Sequence, residues 1–401
     1  MSTIFDALKQ REEKLLCRTY GRYPLAIERG EGARLYDFEG KEYIDLLAGI
    51  AVTNIGHCRP ELADVMAEQA RKLVHVSNLF YQEEQLELAE KILATCHFDK
   101  AFFCNSGAEA NEAAIKICRR YTQRVKGRDA GEIITFSGAF HGRTLATVAA
   151  TGQAKFADGF APIPQGFRQV PWGDLAALEE AITESTAGVL VEVIQGEGGI
   201  RPMTEEFAKG VERICRKKDI LFMVDEIQTG LCRTGKFWAH QLFDLKPDVM
   251  TCAKALANGL PMGAMLCSEE VAQGFEPGSH ATTFGAGAVL SAVAAKVIDI
   301  MVDEKLADQA RDLGEYAMNA FREIGRKCPG TIDDVRGHGL MIGIVLTENG
   351  KEIWEALVER GFILNLTQER VLRLVPPLVI SKDDIDVFAS ALEELLSQKM
   401  K

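Results

Sequence analysis

The chain lacks any run of about 20 uninterrupted apolar residues, the length a membrane span requires. Its opening, MSTIFDALKQREEK, has no basic region followed by an apolar one, so no secretory leader is expected. Clustered Lys and Arg are also missing. Lys+Arg number 46 against 58 Asp+Glu, a formal net charge of -12, which argues against a protein that grips nucleic-acid phosphates. The ten cysteines form no C-x-x-C pair, and several, such as Cys104 in AFFC and Cys267 in AMLC, sit in apolar runs. They read as small buried hydrophobes in a reducing compartment, and the cytoplasm is the expected location. Seven histidines lie scattered without metal-ligand spacing, so no metal is expected and hydrogen bonding is the reading for His57 and His141.

What is present is a soluble, core-forming composition. With 401 residues, 47% of them hydrophobic and 26% charged, the chain has material for two or three domains and a cleft. Short apolar runs at 101–104, 133–136, 189–194, 220–224, 249–252 and 264–267 read as strands covered on both faces. Helical stretches such as 108–120 and 205–217 lie between them. Strand alternating with helix predicts an α/β fold with a mostly parallel central sheet. Beyond residue 300, Leu306, Ala310, Leu313, Ala317, Phe321 and Ile324 recur at steps of three and four, marking a long amphipathic helix. LMIGIVL, FILNL and VLRLV then read as strands, before a closing helix carrying Ile385, Phe388, Leu392 and Leu395. This second texture predicts a small α+β domain.

Three motifs imitate known sites and fail on context. Residues 230–237, GLCRTGKF, fit G-x-x-x-x-G-K but end in Phe237 where a phosphate loop needs Ser or Thr. GEGGIR at 196–201 lacks the third glycine of a dinucleotide fingerprint. Thr251-x-x-Lys254 has the spacing of a nucleophile and base only if Thr replaces Ser, and no partner motif follows.

Four other features make sense together. AFFC-NSGAEANEAAIKICRR is strand, turn and helix, and its turn offers free backbone N–H groups at a helix start, where an anion is favoured. ILFMVDEIQTG ends an apolar run in Asp225 and Glu226, where ligands bind in open α/β sheets. Lys254 follows another apolar run, so desolvation should lower its pKa and favour the neutral amine. FSGAFHGRT sets Phe140 and Arg143 after a strand end, a flat ring beside a carboxylate-binding fork. Taken singly, each has an ordinary reading: a capped helix, a loop charge, a surface lysine, a core phenylalanine. Together they describe a pyridoxal 5'-phosphate pocket, which needs N–H donors, an anion for the ring nitrogen, an amine for the aldehyde and a stacking face.

At these residues the sequence resembles the subgroup III (ω-amino) aminotransferases. The likeness runs through GEGARLYDFEGKEYIDLLAGIAVTNIGH, NSGAEANEAAIK, FHGRT, IQGEGG, DEIQTGLCRTG, AKALANGLPMGA, HATTFG and LRLVPPL, in that order. The resemblance implies the PLP-dependent transferase fold of type I. It places a large cofactor-binding domain at 56–305, a small domain at 306–401, and an N-terminal segment, 1–55, packing with the small one. Lys254 should join the cofactor aldehyde and shuttle the substrate proton, with Asp225 at the pyridine nitrogen. Gln228 should reach the ring's phenolic oxygen, Phe140 should stack on its face, and Gly107 and Ala108 should bind the phosphate. Thr283 should reach the phosphate of a neighbouring subunit, making a homodimer the active unit, with Thr282 near substrate. Arg143 should hold the donor's distant carboxylate. Arg373 should take the α-carboxylate of glutamate, masked by Glu197 when a monocarboxylate donor is bound.

The activity implied is transfer of the terminal amino group of N-acetylornithine to 2-oxoglutarate, in arginine biosynthesis. N-succinylornithine, succinyl-diaminopimelate, ornithine and 4-aminobutyrate are the other donors in view. Relatives that use free ornithine tend to carry Tyr where this chain has Ile50. Two departures stand beside the site: Val193 replaces the family's usual proline in V-E-P-I-Q-G-E, and 285–288 reads GAGA where G-G-N-P is usual.

Overall fold

A computed structural model describes residues 3–399. The first and last two residues of the expected terminal segments therefore lie outside the described residues. The centre of the fold is a seven-stranded sheet: β1 (Lys100–Cys104), β2 (Glu132–Phe136), β3 (Phe167–Val170), β4 (Thr186–Glu192), β5 (Leu221–Asp225), β6 (Val249–Cys252) and β7 (Gly263–Cys267). The order across the sheet is β1-β7-β6-β5-β4-β2-β3. The pairings are parallel except those of β7, which runs antiparallel to both β6 and β1.

Alternate side chains of the middle strands enter two different cores, which is why those strands read as unbroken apolar runs. Leu190, Met223 and Val249 pack beneath the helix Gly107–Arg120 with its Ala113, Ala114 and Ile117. Val191, Phe222, Val224 and Met250 face the other way, against Phe207, Val211 and Ile214 of the helix Glu205–Lys218. The latter helix opens on Thr204, whose side chain accepts from Phe207 N, and ends on Asp219 in the left-handed region.

Four sequence readings need correction. The edge strand β3 was not anticipated: its FRQV keeps only Val170 buried, so it carries no apolar run. The expected strand at 189–194 begins earlier and ends at Glu192; after Val193, Ile194–Gln195 pairs with Arg201–Pro202 instead. FILNL divides between two sheets, as Phe362–Ile363 and Asn365–Thr367. In the closing helix, Lys382–Lys399, Leu396 is buried and Leu395 only half-buried. The long helix Leu306–Lys327 buries Leu306, Ala310, Ala317, Phe321 and Ile324 as its periodicity predicts, with Leu313 half-buried.

The C-terminal sheet runs Ile332–His338, Met341–Leu346, Val371–Leu374, Asn365–Thr367, all antiparallel. A further sheet joins both ends of the chain: Ile27–Glu31, Arg34–Asp37 and Glu42–Asp45 continue into Phe362–Ile363. Among the described residues, no helix is long and apolar enough to cross a membrane.

Candidate active site

A cavity of about 350 Å³ lies at the carboxyl ends of β4 and β5, within the range of small-molecule sites. Gly107, Ala108, Phe140, Glu197, Asp225, Gln228 and Lys254 all line it, so seven of the expected residues meet in one place. The near-motif at 196–201 turns out to be the tight turn between the two short strands 194–195 and 201–202. It brings Glu197 to the cavity, and a Cβ on Gly196 would stand 2.3 Å from Gln228 Oε1, so a larger residue there would displace that amide.

Asp225 closes β5 and is 3% exposed. Its Oδ2 accepts from Asn111 Nδ2 at 2.8 Å and meets His141 Nδ1 at 2.7 Å, while Oδ1 accepts from Ile227 N at 3.0 Å. Asn111 is itself held: its Nδ2 also donates to His141 O at 2.7 Å, and its Oδ1 accepts from Thr251 Oγ1 at 2.8 Å. Thr251 thus serves this network and not Lys254. Burial opposes charge on His141, but the hydrogen bond and charge of Asp225 outweigh it and raise its pKa. His141 hydrogen-bonds as the sequence reading expects, but its link to Asp225 and the part of Asn111 were not anticipated, although a buried polar residue one turn after Gly107, on the apolar face of that helix, was a usable signal.

Glu192 was missed as well. It is the register partner of Asp225 on the neighbouring strand, and it accepts from Phe140 N at 3.1 Å and Gly196 N at 3.4 Å. Burial pushes its carboxyl well up from the usual range.

Lys254 follows β6 with φ +47, a left-handed conformation that costs a non-glycine residue about 1–3 kcal/mol and clusters at functional sites. Burial, ahead of the opposing pull of Glu197, lowers its pKa to about 8. At the start of the helix Gly107–Arg120, Ser106 Oγ accepts from Glu109 N at 3.2 Å. The N–H groups of Gly107 and Ala108 meet no acceptor among the described residues and stand at the positive end of the helix dipole.

Arg373 is 1% exposed on the strand Val371–Leu374. Its Nη1 pairs with Glu197 and lies 3.4 Å from Gln228 Oε1, and its Nε donates to Asn365 Oδ1 at 2.7 Å. Although burial opposes it, this cation holds the Glu197 carboxyl below its ordinary pKa.

Four expected residues do not line the cavity: Arg373 meets it through Glu197 and Gln228, which do, and Arg143, Thr282 and Thr283 lie apart from it. Arg143 is exposed, its guanidinium 4.2 Å from the Phe156 ring centroid and 5.6 Å from that of Phe140, without a hydrogen bond or ion pair among the described residues. Thr282 and Thr283 line a separate cavity of about 790 Å³, where Thr282 Oγ1 accepts from Asn105 Nδ2 at 2.9 Å.

The donor set fits pyridoxal phosphate: unpaired N–H groups for a phosphate, a buried carboxylate for a ring nitrogen, a desolvated amine for an aldehyde, and an aromatic face. The sequence profile described as Aminotransferase class-III matches residues 16–396. The acetylornithine aminotransferase of Methanocaldococcus jannaschii is 43% identical over 97% of this chain and 98% of that protein. The one from Aquifex aeolicus is 44% identical over 95% and 99%. Among solved structures, ornithine aminotransferase from Toxoplasma gondii superposes with a TM-score of 0.95 at 30% identity, covering 100% of this chain and 97% of that one. Acetylornithine aminotransferase from Elizabethkingia anophelis gives 0.88 at 33%, covering 98% and 99%.

The chain belongs to the class-III aminotransferases. Its cofactor is pyridoxal 5'-phosphate, and its fold is the type I fold of PLP-dependent transferases.

Proposed function

We propose that the chain transfers the terminal amino group of N-acetylornithine to 2-oxoglutarate, giving N-acetylglutamate 5-semialdehyde and glutamate in arginine biosynthesis. The observation that carries this reading is the pairing of the buried Arg373 with Glu197, which lines the same cavity as Lys254. One pocket must accept in turn a donor whose carboxylate is far from the reacting amine and a diacid whose carboxylate is beside it. A buried arginine with a displaceable carboxylate partner meets both demands, since an unpaired buried cation is costly. Relatives named for acetylornithine, 41–44% identical over most of the chain, support the donor. Ile50 supports it too: it sits, 41% exposed, in a left-handed turn over residues 48–51, next but one to the cavity-lining Val52.

Bound pyridoxal phosphate supplies an aldehyde that joins amines and a ring that takes up the electron pair released at the substrate carbon. Lys254, with its lowered pKa, provides the neutral amine and moves the proton at that carbon. Asp225 holds negative charge against the ring nitrogen, braced by Asn111 and His141. Phe140 covers the ring face, Gln228 reaches its phenolic oxygen, and Gly107 and Ala108 N–H bind phosphate. Arg143 takes the donor's distant carboxylate, and Arg373 takes the α-carboxylate of glutamate once Glu197 swings aside.

The exposed Thr283 then serves the neighbouring subunit's phosphate in a homodimer, with Thr282 near substrate. Leu79, which lines that cavity, the adjoining Phe80 and Tyr81, and Phe284 next to Thr283 are each at least 63% exposed, and they support a surface covered by a second copy. Pairing of Glu42–Asp45 with Phe362–Ile363 supports grouping 1–55 with the small domain 306–401, apart from the large domain 56–305. All ten thiols are free, which supports a cytoplasmic setting.

Free ornithine is the second reading, favoured by the close superposition on ornithine aminotransferase. Steady-state rates on a donor panel, with glutamate formation as readout, test both. N-Acetylornithine should lead; faster turnover of ornithine or 4-aminobutyrate removes the assignment.

A further inference from the structure

The loop after β5 holds a second buried arginine, outside the cavity. Arg233 is 0% exposed, and no carboxylate contacts its guanidinium among the described residues. Its Nη1 donates to Leu340 O at 3.0 Å and Pro376 O at 2.6 Å, and its Nη2 to Asn54 Oδ1 at 2.5 Å. Its own carbonyl accepts from Leu340 N at 3.0 Å. A guanidinium without a counter-ion is costly to bury. Burial, ahead of the opposing effect of Asp45, lowers its pKa to about 9. The site keeps it nonetheless, and three segments distant in sequence converge on this one group.

The surrounding backbone leaves no slack. Gly339 has φ +53, and a Cβ there would lie 2.5 Å from the carbonyl carbon of Thr234 and 2.6 Å from Gly235 N. A Cβ on Gly314, in the long helix Leu306–Lys327, would stand 2.0 Å from Gly339 O. The C-terminal unit is therefore pressed directly onto the 233–235 loop.

The two carbonyls that Arg233 holds belong to the strands around Arg373. Leu340 immediately precedes Met341–Leu346, in which Gly343 is the register partner of Arg373. Pro376 lies just beyond Val371–Leu374, the strand that carries Arg373. Both strands are pinned at one end to the loop whose Gln228 touches Arg373.

We propose that Arg233 is a positioning residue for Arg373: by fixing both strands to the loop that follows Asp225, it sets where the carboxylate-binding guanidinium stands relative to Lys254. It thereby governs reaction with the α-amino diacid and leaves reaction with the donor largely alone. This rests on the assignment of Arg373 to the α-carboxylate of glutamate. Arg143, assigned to the donor's carboxylate, lies on a segment Arg233 does not touch.

Lysine at 233 keeps the charge but cannot span two carbonyls and an amide with one compact ammonium. The test uses the Arg233→Lys holoenzyme in single turnovers with L-glutamate and, separately, N-acetylornithine, following loss of pyridoxal absorbance. Arg373→Lys is run in parallel. The expected result is a ~10²-fold loss with glutamate, the scale of an ångström-sized misplacement, and less than about threefold with the donor. Equal losses in both, or none in either, overturn the proposal, because a merely structural role moves the two together. If Arg373→Lys itself shows no bias, the assignment of Arg373 falls first, on its own evidence. Should Arg233→Lys fail to fold, Asn54→Ala frees Nη2 while leaving both carbonyl contacts. It must then show the same bias at smaller amplitude, and an unbiased Asn54→Ala overturns the proposal equally.

Discussion

Replacing Glu197 by Gln isolates the masking of Arg373 from everything else in the cavity. The change keeps side-chain size and removes the charge that pairs with a guanidinium only 1% exposed. Breaking a fully buried ion pair costs roughly 3–5 kcal/mol. Here the Glu197 side chain is 28% exposed, and Asn365 and Gln228 still engage Arg373, so the pair is worth less. A value of about 1–2 kcal/mol follows, corresponding to a factor of roughly 5–30. Glutamate has to overcome that energy when its α-carboxylate displaces Glu197, so kcat/KM for glutamate should rise by about that factor in Glu197→Gln. N-Acetylornithine should lose efficiency, because the bared cation attracts its carboxylate into a pose that withdraws the reacting amine. The ratio of the two kcat/KM values, from single turnovers followed by cofactor absorbance, should therefore move at least about tenfold toward glutamate. A ratio unchanged within about twofold refutes the masking argument.

The remaining predictions concern the cofactor and the assembly. Asp225→Asn should retain cofactor yet lose roughly 10²–10³-fold in turnover, the scale for losing one preorganised electrostatic partner; near-normal rates exclude Asp225 as the ring-nitrogen anion. Lys254→Ala should abolish turnover, and borohydride treatment followed by peptide mapping should find no cofactor on the chain; the same mapping of the wild type must find it at 254. The neutral amine is the reactive form, and burial places the Lys254 pKa at about 8. The apoenzyme should therefore capture pyridoxal phosphate about tenfold faster per pH unit below 8 and level off above, as protonation at a single group requires; a flat profile contradicts the desolvated lysine. Thr283→Ala and Lys254→Ala chains, each impaired alone, should complement when mixed, restoring roughly a quarter of wild-type sites by random pairing of subunits; no recovery means Thr283 does not act across a dimer.

The parts of the fold legible in the sequence are those where burial is symmetric. β4, β5, β6 and β7 are buried along their whole length, so their apolar runs are visible without knowledge of neighbours. β3 is hidden because an edge strand with Arg168 and Gln169 exposed looks like a loop. The antiparallel course of β7 is equally hidden, since a strand covered on both faces has the same composition in either direction. Within the site, Asp225 and Lys254 announce themselves as charges at the ends of apolar runs. Arg233 hides inside a failed phosphate-loop motif, its burial decided by carbonyls more than 100 positions away. Thr283 gains a cofactor-binding meaning only if a second chain is supplied.

Glu192, Asp225 and Thr251 stand side by side because the register of three parallel strands aligns the last residues of β4 and β5 with β6. That alignment decides which acid does what. Asp225 receives the side-chain donors, from Asn111 and His141, together with Ile227 N. Glu192 receives only the backbone N–H groups of Phe140 and Gly196, and burial raises its pKa. The raised pKa of Glu192 favours its protonated form. Under the proposed assignment of Asp225 to the ring nitrogen, the helix that carries Asn111 and the loop that carries His141 are what distinguish it from Glu192. Both side chains converge on the Oδ2 of Asp225, and neither reaches Glu192.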